Sequence, residues 1–511
     1  MRMLCRIVGV RGTKQSVDQH IYKQQPSATQ LQCHAGGVLE NGRSTIMVQK
    51  YREFREKFKT FIYNGYTIEE SEESIHVVYD FSVPGLSDFA PTWSFPKKIN
   101  KNFSEDEKFK NMVFSLGMVE LVSYWKIACP PTVLIKCGYL NEDMISWWKS
   151  LYFNGLGEFY YTNGIEDNQQ DFMEIIVDNN IEKTAVDNID LSLEGNLIPI
   201  GGGKDSALTL DILKEEKDKN YCYIINPRGA TIETYKAAGY SEDKVIAVKR
   251  TLDKNMLALN KEGYLNGHTP FSAIVAFSAT IAAYINGLKY IALSNESSAN
   301  ESTVEGSYVN HQYSKSFQFE KDFHEYEESY IGSGTYYFSL LRPMSEFQIA
   351  KHFADCSEYH DIFRSCNVGS KEDIWCGHCP KCLFVWLILS PFLSQKRLTE
   401  IFGRNLCDDK DMEKYFSQLI GLEKEKPFEC VGSRDEINAS ITLTIRDFDI
   451  SFNKGDKLPY LFERYKEQGL YEANLPTCEQ FIDFCDDVNL IPERHAKMLA
   501  KKGIKSSNIE E

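Results

Sequence analysis

The segment at residues 201–206, GGGKDS, is suited to binding phosphate. Three consecutive glycines let the backbone come close to an anion, and the amides at the start of a following helix point toward it. The apolar run NLIPI precedes the segment, and an apolar helical pattern follows it. A pyrophosphate cradle is therefore predicted, with a glycine turn capped by Asp205 as the alternative. The expected phosphate-binding residues are Gly201, Gly202, Gly203, Lys204, Asp205 and Ser206.

The spacing within residues 201–206 excludes two other glycine loops, because it matches neither GxxxxGK[ST] nor GxGxxG. It resembles instead the SGGxDS signature of the PP-loop ATP pyrophosphatases, with Gly201 in place of the first serine. This resemblance implies that ATP is cleaved to AMP and pyrophosphate. It also implies that Asp205 and Ser206 lie at the phosphates, where a Mg²⁺ ion bridges them. ATP and Mg²⁺ are therefore expected to bind here.

Four of the 14 cysteines lie close together along the chain, namely Cys366, Cys376, Cys379 and Cys382. Four thiolates complete a tetrahedral zinc shell, and the pattern is typical of a metal site in a reducing compartment. CGxCxxC preceded by a cysteine resembles the zinc site of the 7-cyano-7-deazaguanine synthases, which are PP-loop enzymes. A structural Zn²⁺ is expected, with His378 exposed rather than bound. Buried free thiols and an iron–sulfur cluster are the alternatives.

The elements that position these residues follow from the pattern after Gly195, where short apolar strands alternate with helices. Such alternation indicates a parallel, doubly wound sheet. With the resemblance of the glycine loop, it predicts an α/β fold of the PP-loop (adenine nucleotide alpha hydrolase-like) type over residues 191–395. Ligands of such sheets bind at the carboxyl ends of the strands. Asn226, which ends the strand YCYIIN, is therefore expected at the adenosine, and residues 294–296 (SNE) lie at the same edge.

Changes of pattern divide the rest of the chain. Residues 1–46 are polar and weakly periodic, and a disordered extension is expected there. Strand-like and helical runs over residues 47–190 predict an N-terminal α+β domain. Charged helical patterns over residues 396–511 predict a small, mostly helical C-terminal region, including a helix over residues 476–488.

The run at residues 269–288 carries no charge and is long enough to cross a bilayer. Its alanine, serine and threonine content and its direct continuation into the strand-like KYIALSN favour a buried helix of the α/β domain. A soluble, buried position is therefore predicted for this run.

The charge balance limits the partners. Lys and Arg total 57 against 73 Asp and Glu, for a formal charge of −16, which argues against general attraction to nucleic acid or an anionic membrane. A phosphorylated substrate therefore requires a locally basic pocket. No signal-peptide pattern is recognised at the start, so the protein is expected in the cytoplasm. The sequence does not indicate its oligomeric state.

A more specific resemblance rests on five segments in this order: LVSYWKIACPP (121–131), YFNGLGEFYYTNG (152–164), IPIGGGKDS (198–206), VNHQYSKSF (309–317) and CGHCPKC (376–382). Together they resemble the ATP-dependent UDP-N-acetylmuramoyl-L-alanyl-L-glutamate epimerases, over residues 50–395. The resemblance implies a UDP-muramoyl dipeptide substrate, whose terminal L-glutamate is inverted to D while ATP goes to AMP and pyrophosphate. It implies a role in peptidoglycan precursor synthesis, and so in cell-wall growth and division.

ATP has a physical reason in such a reaction. Removing the α-proton beside a free carboxylate places a second negative charge next to the first, whereas adenylation removes the first charge. The enolate-like species that forms needs a positioned base and donors for its oxyanion. The expected catalytic residues are Asp205, Ser206, His311, Lys315 and Lys126. Further candidates are Tyr124, Glu158 and Tyr313 for proton transfer, and Arg342 with Lys204 for phosphate.

Two other functions are compatible with the glycine loop. One is a PP-loop enzyme that amidates or thiolates a substrate, which needs an ammonia or sulfur source, and no glutaminase-like pattern is evident. The other is a zinc-stabilised nucleotide-binding module without turnover. The presence of Asp205 and Ser206 argues against the module.

Overall fold

The computed structural model describes residues 41–178, 191–307, 309–370, 372–451 and 457–506. The strands are β1 (Thr60–Glu70), β2 (Ser74–Val83), β3 (Ser87–Phe89), β4 (Thr92–Pro96), β5 (Thr132–Ile135), β6 (Glu174–Val177), β7 (Asn196–Pro199), β8 (Asn220–Ile225), β9 (Val245–Thr251), β10 (Tyr290–Leu293) and β11 (Tyr336–Ser339).

The first ten α-helices are α1 (Asn41–Lys57), α2 (Glu107–Trp125), α3 (Glu142–Gly155), α4 (Gly157–Asn163), α5 (Lys204–Ile212), α6 (Gly229–Ala237), α7 (Lys254–Lys261), α8 (Phe271–Ile285), α9 (Phe317–Tyr326) and α10 (Glu346–Ala354). They are followed by α11 (Pro380–Leu389), α12 (Gln395–Phe402), α13 (Glu413–Ile420), α14 (Arg434–Ser451), α15 (Tyr460–Glu467), α16 (Leu470–Asn474) and α17 (Glu493–Lys501).

The strands form one mixed sheet in the order β11-β10-β7-β8-β9-β4-β2-β1-β5-β6, with β3 paired to β2. Strands β7 to β11 form a parallel block within it. The sequence predicts this block, except for β11. The chain winds from β7 to β8 and β9 on one side, and then to β10 and β11 on the other. The crevice between the carboxyl ends of β7 and β10 is therefore a topological switch point, where such sheets bind ligands.

Helices cover both faces of the parallel block. Leu197 of β7 and Ile291 of β10 belong to the core that includes α2 and α8. The next residues along each strand, Ile198 and Ala292, belong to the opposite core with α5, α10 and α11. Side chains alternate between the faces of a strand, so both faces of a central parallel strand must be apolar. This explains why the strands of this block appear in the sequence as short apolar runs.

The N-terminal strands continue the same sheet. Strands β1 to β4 pair antiparallel, and β4 joins the parallel block through an antiparallel pairing in which Trp93 lies opposite Arg250 of β9. The sequence pattern does not predict β1, β3 or β4. Helix α1 begins at Asn41, before Met47, where the fold was expected to start. Residues 1–40 of the expected extension lie outside the described residues.

The uncharged run at residues 269–288 contains α8, which is buried along most of its length, as predicted. Its Tyr284 hydroxyl donates to the carboxylate of Asp106 at 2.5 Å, so the polar end of that side chain is satisfied inside the core. Within the described part of the chain, no helix is long and apolar enough to cross a membrane.

The C-terminal region is mostly helical, as expected, and α14 packs against α10 and α11. The α-helix predicted over residues 476–488 is wrong, because a short 3₁₀-helix (Leu475–Thr477) is followed by turns and irregular chain. The side-chain amide of Gln348 donates to the carbonyl of Phe484 at 2.8 Å, and the amide of Asp486 donates to the carbonyl of Pro343 at 2.9 Å. These bonds to α10 and the loop before it hold the segment in a non-helical path.

Candidate active site

A cleft of about 560 Å³ opens at the switch point, beyond the carboxyl ends of β7, β8 and β10. The structure brings the glycine loop and both polar strand ends to its wall. The expected ligand-binding residues that line it are Gly201, Gly203, Asp205, Ser206, Asn226, Ser294, Asn295 and Lys315.

Gly202 in the glycine loop approaches its neighbours too closely for a larger residue. Gly202 has a left-handed backbone with φ +82°, and a Cβ there would lie 2.9 Å from the Cβ of Ala230. Its carbonyl accepts a hydrogen bond from the amide of Arg364 at 2.8 Å. Gly203 immediately precedes α5, and no side chain of the described residues caps the start of that helix. The first amides of α5 can therefore bind an anion in the cleft.

Lys204 lies behind the cleft and does not line it. Its side chain is 2% exposed, and its ammonium donates to the carboxylates of Asp205 and Glu346. Asp205 keeps 31% of its side chain exposed. Burial alone would raise the pKa of Asp205, but the charge and hydrogen bond of Lys204 lower it below the usual value. Lys204 thus orients an ionised carboxylate on the wall.

Glu346 itself lies deeper than Asp205. Burial raises the pKa of Glu346 to about 7, and the negative charges of Asp205 and Glu296 nearby add to the rise. The positive charge of Lys204 only partly offsets this rise. The amide of Glu346 donates to the Glu436 carboxylate at 2.6 Å. The phosphate loop is therefore backed by a buried group of charges drawn from α5, α10 and α14.

Basic side chains collect on the cleft although the chain carries a formal charge of −16. The basic residues on the wall are Arg228, Arg250, Lys315, Arg364 and Lys381. Arg250 is matched by an ion pair with Glu120 at 2.7 Å. The locally basic pocket that a phosphorylated substrate requires is therefore present. Of these residues, only Lys315 is predicted from the sequence, because the others lie next to strand ends or cysteines and belong to no motif of their own.

Asn226 and Arg342, which were expected to bind the nucleotide, form hydrogen bonds to other parts of the protein. Asn226 (φ +51°) lines the cleft, but its side-chain amide bonds to both the carbonyl and the amide of Arg250, each at 2.9 Å. Arg342 is fully buried, and its guanidinium donates to the carbonyls of Glu296 and Lys315, both at 2.6 Å. Arg342 therefore holds the loops that carry cleft residues instead of meeting phosphate.

His311 lies in the loop between β10 and α9 that also carries Lys315. Its Nδ1 is hydrogen-bonded to the carboxylate of Glu158 on α4, and the same carboxylate lies 3.4 Å from Nδ1 of His268. Burial would lower the pKa of His311, but its hydrogen bonds to Cys430 and Glu158 raise it to about 9. Burial, with the charge of His311, lowers the pKa of His268 to about 3. At neutral pH His311 is therefore a cation and His268 is neutral.

Cys430 lines the same cleft and was missed by the sequence analysis. Its thiol interacts with His311 and Lys315, and the carbonyl of Cys430 accepts a hydrogen bond from the ammonium of Lys381. Burial would raise the pKa of this thiol, but Lys315, His311 and Lys381 lower it to about 5. The sequence offered no signal for Cys430, because its partners lie far away along the chain.

Lys126 lies away from the wall of the cleft. It follows α2, is buried, and donates to the carbonyl of Gly267 and to Oγ1 of Thr269, the latter at 2.7 Å. Burial lowers the pKa of Lys126 to about 8. These bonds hold the loop that carries His268. Tyr124, the neighbouring candidate, is fully buried.

The four clustered cysteines converge as the sequence predicts, and they are Cys366, Cys376, Cys379 and Cys382. Their sulfurs lie 3.7 Å apart for Cys366 and Cys379, 3.7 Å for Cys376 and Cys382, and 3.5 Å for Cys379 and Cys382. A tetrahedral zinc with Zn–S bonds of about 2.3 Å would separate its sulfurs by about 3.8 Å, so the group fits a metal ion. His378 is exposed. Helix α11, which carries Lys381, begins within the cluster.

Comparison with known families gives two matches. The model of the MurL N-terminal domain matches residues 52–340, and the model of the MurL C-terminal domain matches residues 362–454. The first range contains the glycine loop and His311, and the second contains the cysteine cluster and Cys430. No solved structure matches the chain.

Named relatives agree with these matches. The UDP-N-acetyl-alpha-D-muramoyl-L-alanyl-L-glutamate epimerase of Xanthomonas oryzae pv. oryzae is 34% identical over 337 residues, which cover 64% of this chain and 73% of that protein. Proteins of the same name from Salinispora tropica and Micromonospora sp. are each 33% identical over 334 residues, covering 64% of this chain and 72% and 73% of the relatives. The resemblance carried by the five sequence segments is thereby confirmed, and the chain belongs to the MurL family.

Proposed function

We propose that this protein inverts the terminal glutamate of UDP-N-acetylmuramoyl-L-alanyl-L-glutamate from L to D, in a reaction that cleaves ATP to AMP and pyrophosphate. The observation that carries the proposal is one basic cleft that joins a glycine loop before a helix to a group of proton-transfer side chains. The names of the relatives support the substrate.

The proposal includes a PP-loop nucleotide-binding fold for residues 191–395. It is supported by the position of the glycine loop, between β7 at the switch point and α5. Residues 396–511 would then supply part of the wall through Cys430, and residues 47–190 would supply Glu158, which is hydrogen-bonded to His311.

In the first step a carboxylate oxygen of the glutamate attacks the α-phosphorus of ATP, and pyrophosphate leaves. The amides of the glycine loop would hold the leaving pyrophosphate, with Arg228 and Arg364 as basic neighbours. Asp205 and Ser206 offer oxygen ligands on the wall, so they fit Mg²⁺, which when bound neutralises phosphate charge. The adenosine is expected near Asn226, at the end of β8.

In the second step the acyl-adenylate loses its α-proton and regains one on the opposite face. The carbonyl oxygen gains negative charge, and the Lys315 ammonium lies in the same cleft to stabilise it. Water then hydrolyses the acyl-adenylate and releases AMP and UDP-N-acetylmuramoyl-L-alanyl-D-glutamate. Lys126 would act by holding the loop of His268, and Zn²⁺ on the four cysteines would be structural, because four thiolates leave no open position.

The test uses the purified protein with ATP, Mg²⁺ and UDP-N-acetylmuramoyl-L-alanyl-L-glutamate in D₂O. We expect pyrophosphate, AMP, D-glutamate product and deuterium at its α-carbon. Deuterium uptake distinguishes the reaction from amidation or thiolation, which leave the α-carbon untouched. Pyrophosphate without inversion or uptake would exclude the epimerase and keep the ATP pyrophosphatase.

A variant links the activity to the glycine loop. Asp205→Ala is expected to abolish AMP formation, because the ionised carboxylate at the phosphates is lost. Its metal content should equal that of the wild type, which shows that the cysteine cluster and its surroundings remain folded. Full AMP formation by Asp205→Ala would contradict the proposed role of the loop.

A further inference from the structure

Cys430 is an ionisable thiol on the wall of the candidate active site and is separate from the cysteine cluster. It lies just before α14, in the C-terminal region, and it reaches the cleft that also contains Asp205 and Lys315. Of the cysteines in the described ranges, the others are buried in cores, part of the metal-binding group or distant from this wall. Its position therefore sets it apart from an ordinary core cysteine.

A chain of polar contacts leads away from the thiol. The thiol of Cys430 interacts with His311, and His311 is hydrogen-bonded through Nδ1 to Glu158. A reactive thiol, an imidazole and a carboxylate that orients the imidazole form the arrangement by which proteins activate cysteine. The three residues come from the loop before α14, the loop before α9 and helix α4, so the fold assembles them from distant parts of the chain.

We propose that the Cys430 thiolate accepts the α-proton of the adenylated glutamate, with His311 and Glu158 as positioning residues. The inference rests on the proposed function. The C–H bond breaks, its electron pair enters the enolate, and an S–H bond forms. A proton from solvent then adds to the opposite face of the α-carbon. The thiol returns its proton to solvent, so that no other reactant is consumed.

The other polar groups near the thiol are less suited to accept a proton. Lys315 is already protonated, because nearby Cys430, Glu296 and Asp205 raise its pKa despite its burial. His311 is protonated as well. Asp205 is engaged by Lys204. Glu296 and Glu429 also interact with the thiol, but neither lines the cleft. Among the described residues of the wall, the thiolate is thus the anion left to accept the proton.

The surroundings also stabilise the charge that moves during the step. Before proton transfer the negative charge is on the sulfur, and afterwards it is on the enolate oxygen. Lys315 contacts the thiol and lines the cleft, so one ammonium is near both positions. A preorganised cation of this kind stabilises the developing oxyanion without rearrangement.

The position expected for the α-carbon of the adenylated glutamate is compatible with Cys430 as the base that removes its proton. It is bonded to the carbon that carries the adenylate, so a base must lie close to the α-phosphate. Cys430 and the glycine loop line the same cleft, whose volume is about 560 Å³. The base and the phosphate site are therefore within the reach of one bound acyl-adenylate.

The experiment compares the Cys430→Ser and Cys430→Ala variants with the wild-type protein. Each is incubated in D₂O with ATP, Mg²⁺ and UDP-N-acetylmuramoyl-L-alanyl-L-glutamate. We expect substrate-dependent pyrophosphate release to persist within about tenfold, while deuterium uptake and inversion fall at least about 100-fold, as for loss of a general base. The matched control is Cys485→Ser, which removes a half-buried thiol bonded to Asp487 and is expected to change neither rate.

The outcomes of this comparison test the role of Cys430 and the proposed function separately. Wild-type deuterium uptake in either Cys430 variant would overturn the inference. A proportional loss of pyrophosphate release in folded variants would also overturn it, because the thiol would then serve adenylation. Wild-type protein that releases pyrophosphate without deuterium uptake would refute the proposed function itself, before any Cys430 variant is considered.

A measurement on the wild-type protein guards against variants that do not fold. Iodoacetamide at pH 6.5 is expected to alkylate Cys430 faster than Cys485 by at least about tenfold, since the thiolate is the reactive form. Peptide mass spectrometry would identify the modified residue, and ATP with substrate should slow its modification. Equal rates at the two cysteines would contradict a thiolate at Cys430.

Discussion

Lys204 and Glu346 form a buried ion pair that joins the phosphate loop to the first residue of α10, with side chains 2% and 3% exposed. The same ammonium contacts Asp205 on the cleft. Lys204 therefore connects the candidate active site to the helices that cover the sheet. Its removal would leave the carboxylates of Asp205 and Glu346 without the ammonium that lies between them.

The substitution Lys204→Met is expected to lower the free energy of unfolding by about 3 kcal/mol at pH 8, because removing one partner leaves a buried charge uncompensated. At pH 6 the loss should be smaller, since Glu346 then takes up a proton and the charge disappears. Urea denaturation at both pH values measures the difference. In the control Lys321→Met, an exposed lysine 3.8 Å from Glu325 is removed, and little change is expected. An equal loss at both pH values would contradict the electrostatic explanation.

Gly202→Ala is expected to destabilise the phosphate loop, whereas Gly201→Ala is expected to leave the free energy of unfolding unchanged. At Gly202 an L side chain meets a left-handed backbone and Ala230 at 2.9 Å, for a cost of about 2 kcal/mol or more. At Gly201 a Cβ would have none of the described atoms within 4 Å. Urea denaturation of both variants tests this prediction. Equal stability of the two variants would show that the loop is not constrained by α6.

Local patterns in the sequence predicted those parts of the site that are formed by residues close together along the chain. The glycine loop was identified because its glycines follow an apolar strand and precede a helix, and the four cysteines because their spacing suits one metal ion. The parallel pairing of β7, β8, β9 and β10 followed from alternating strands and helices, whereas β11 was not predicted. These features need no knowledge of distant contacts.

The remaining features depend on contacts between distant parts of the chain. Cys430 has no motif, and its significance comes from His311 and Lys315, which another loop supplies. Glu346 matters because it lies 142 residues from Lys204 in sequence and next to it in space. The helix predicted over residues 476–488 failed for the same reason, since bonds to Gln348 and Pro343 override a local helical pattern.

The cysteine cluster is expected to hold about one zinc ion per chain. Cys379→Ser removes one ligand, so metal content should fall to near zero and the thermal midpoint should drop; a strong chelator should have the same effect on the wild type. Elemental analysis and thermal unfolding provide the measurements. Cys137→Ser is the matched control, because Cys137 is a half-buried thiol outside the cluster. Bound iron with visible absorbance in the purified protein would indicate an iron–sulfur cluster instead.

The charges around Cys430 predict a pH dependence for inversion. The groups that face the thiol are Lys315, His311, Lys381, Glu296 and Glu429. The thiolate forms as pH rises through about 5, and the imidazolium of His311 is lost as pH rises through about 9. Because inversion needs both ions, its rate should be bell-shaped between these values, with apparent pKa values that belong to the pair.

Glu158→Gln is expected to move the alkaline limb of this profile to lower pH by about one unit, because the Glu158 carboxylate raises the pKa of His311 and the amide does not. The pH profile of pyrophosphate release should keep its shape, since adenylation does not use this pair. The measurement is deuterium uptake at the α-carbon across the pH range. Glu425→Gln, which removes a carboxylate bonded to Tyr161 on the same helix as Glu158, serves as the control and should leave both profiles unchanged. An unshifted alkaline limb in Glu158→Gln would show that His311 does not act with Cys430, because a residue with a merely structural role would change the rate without moving the limb.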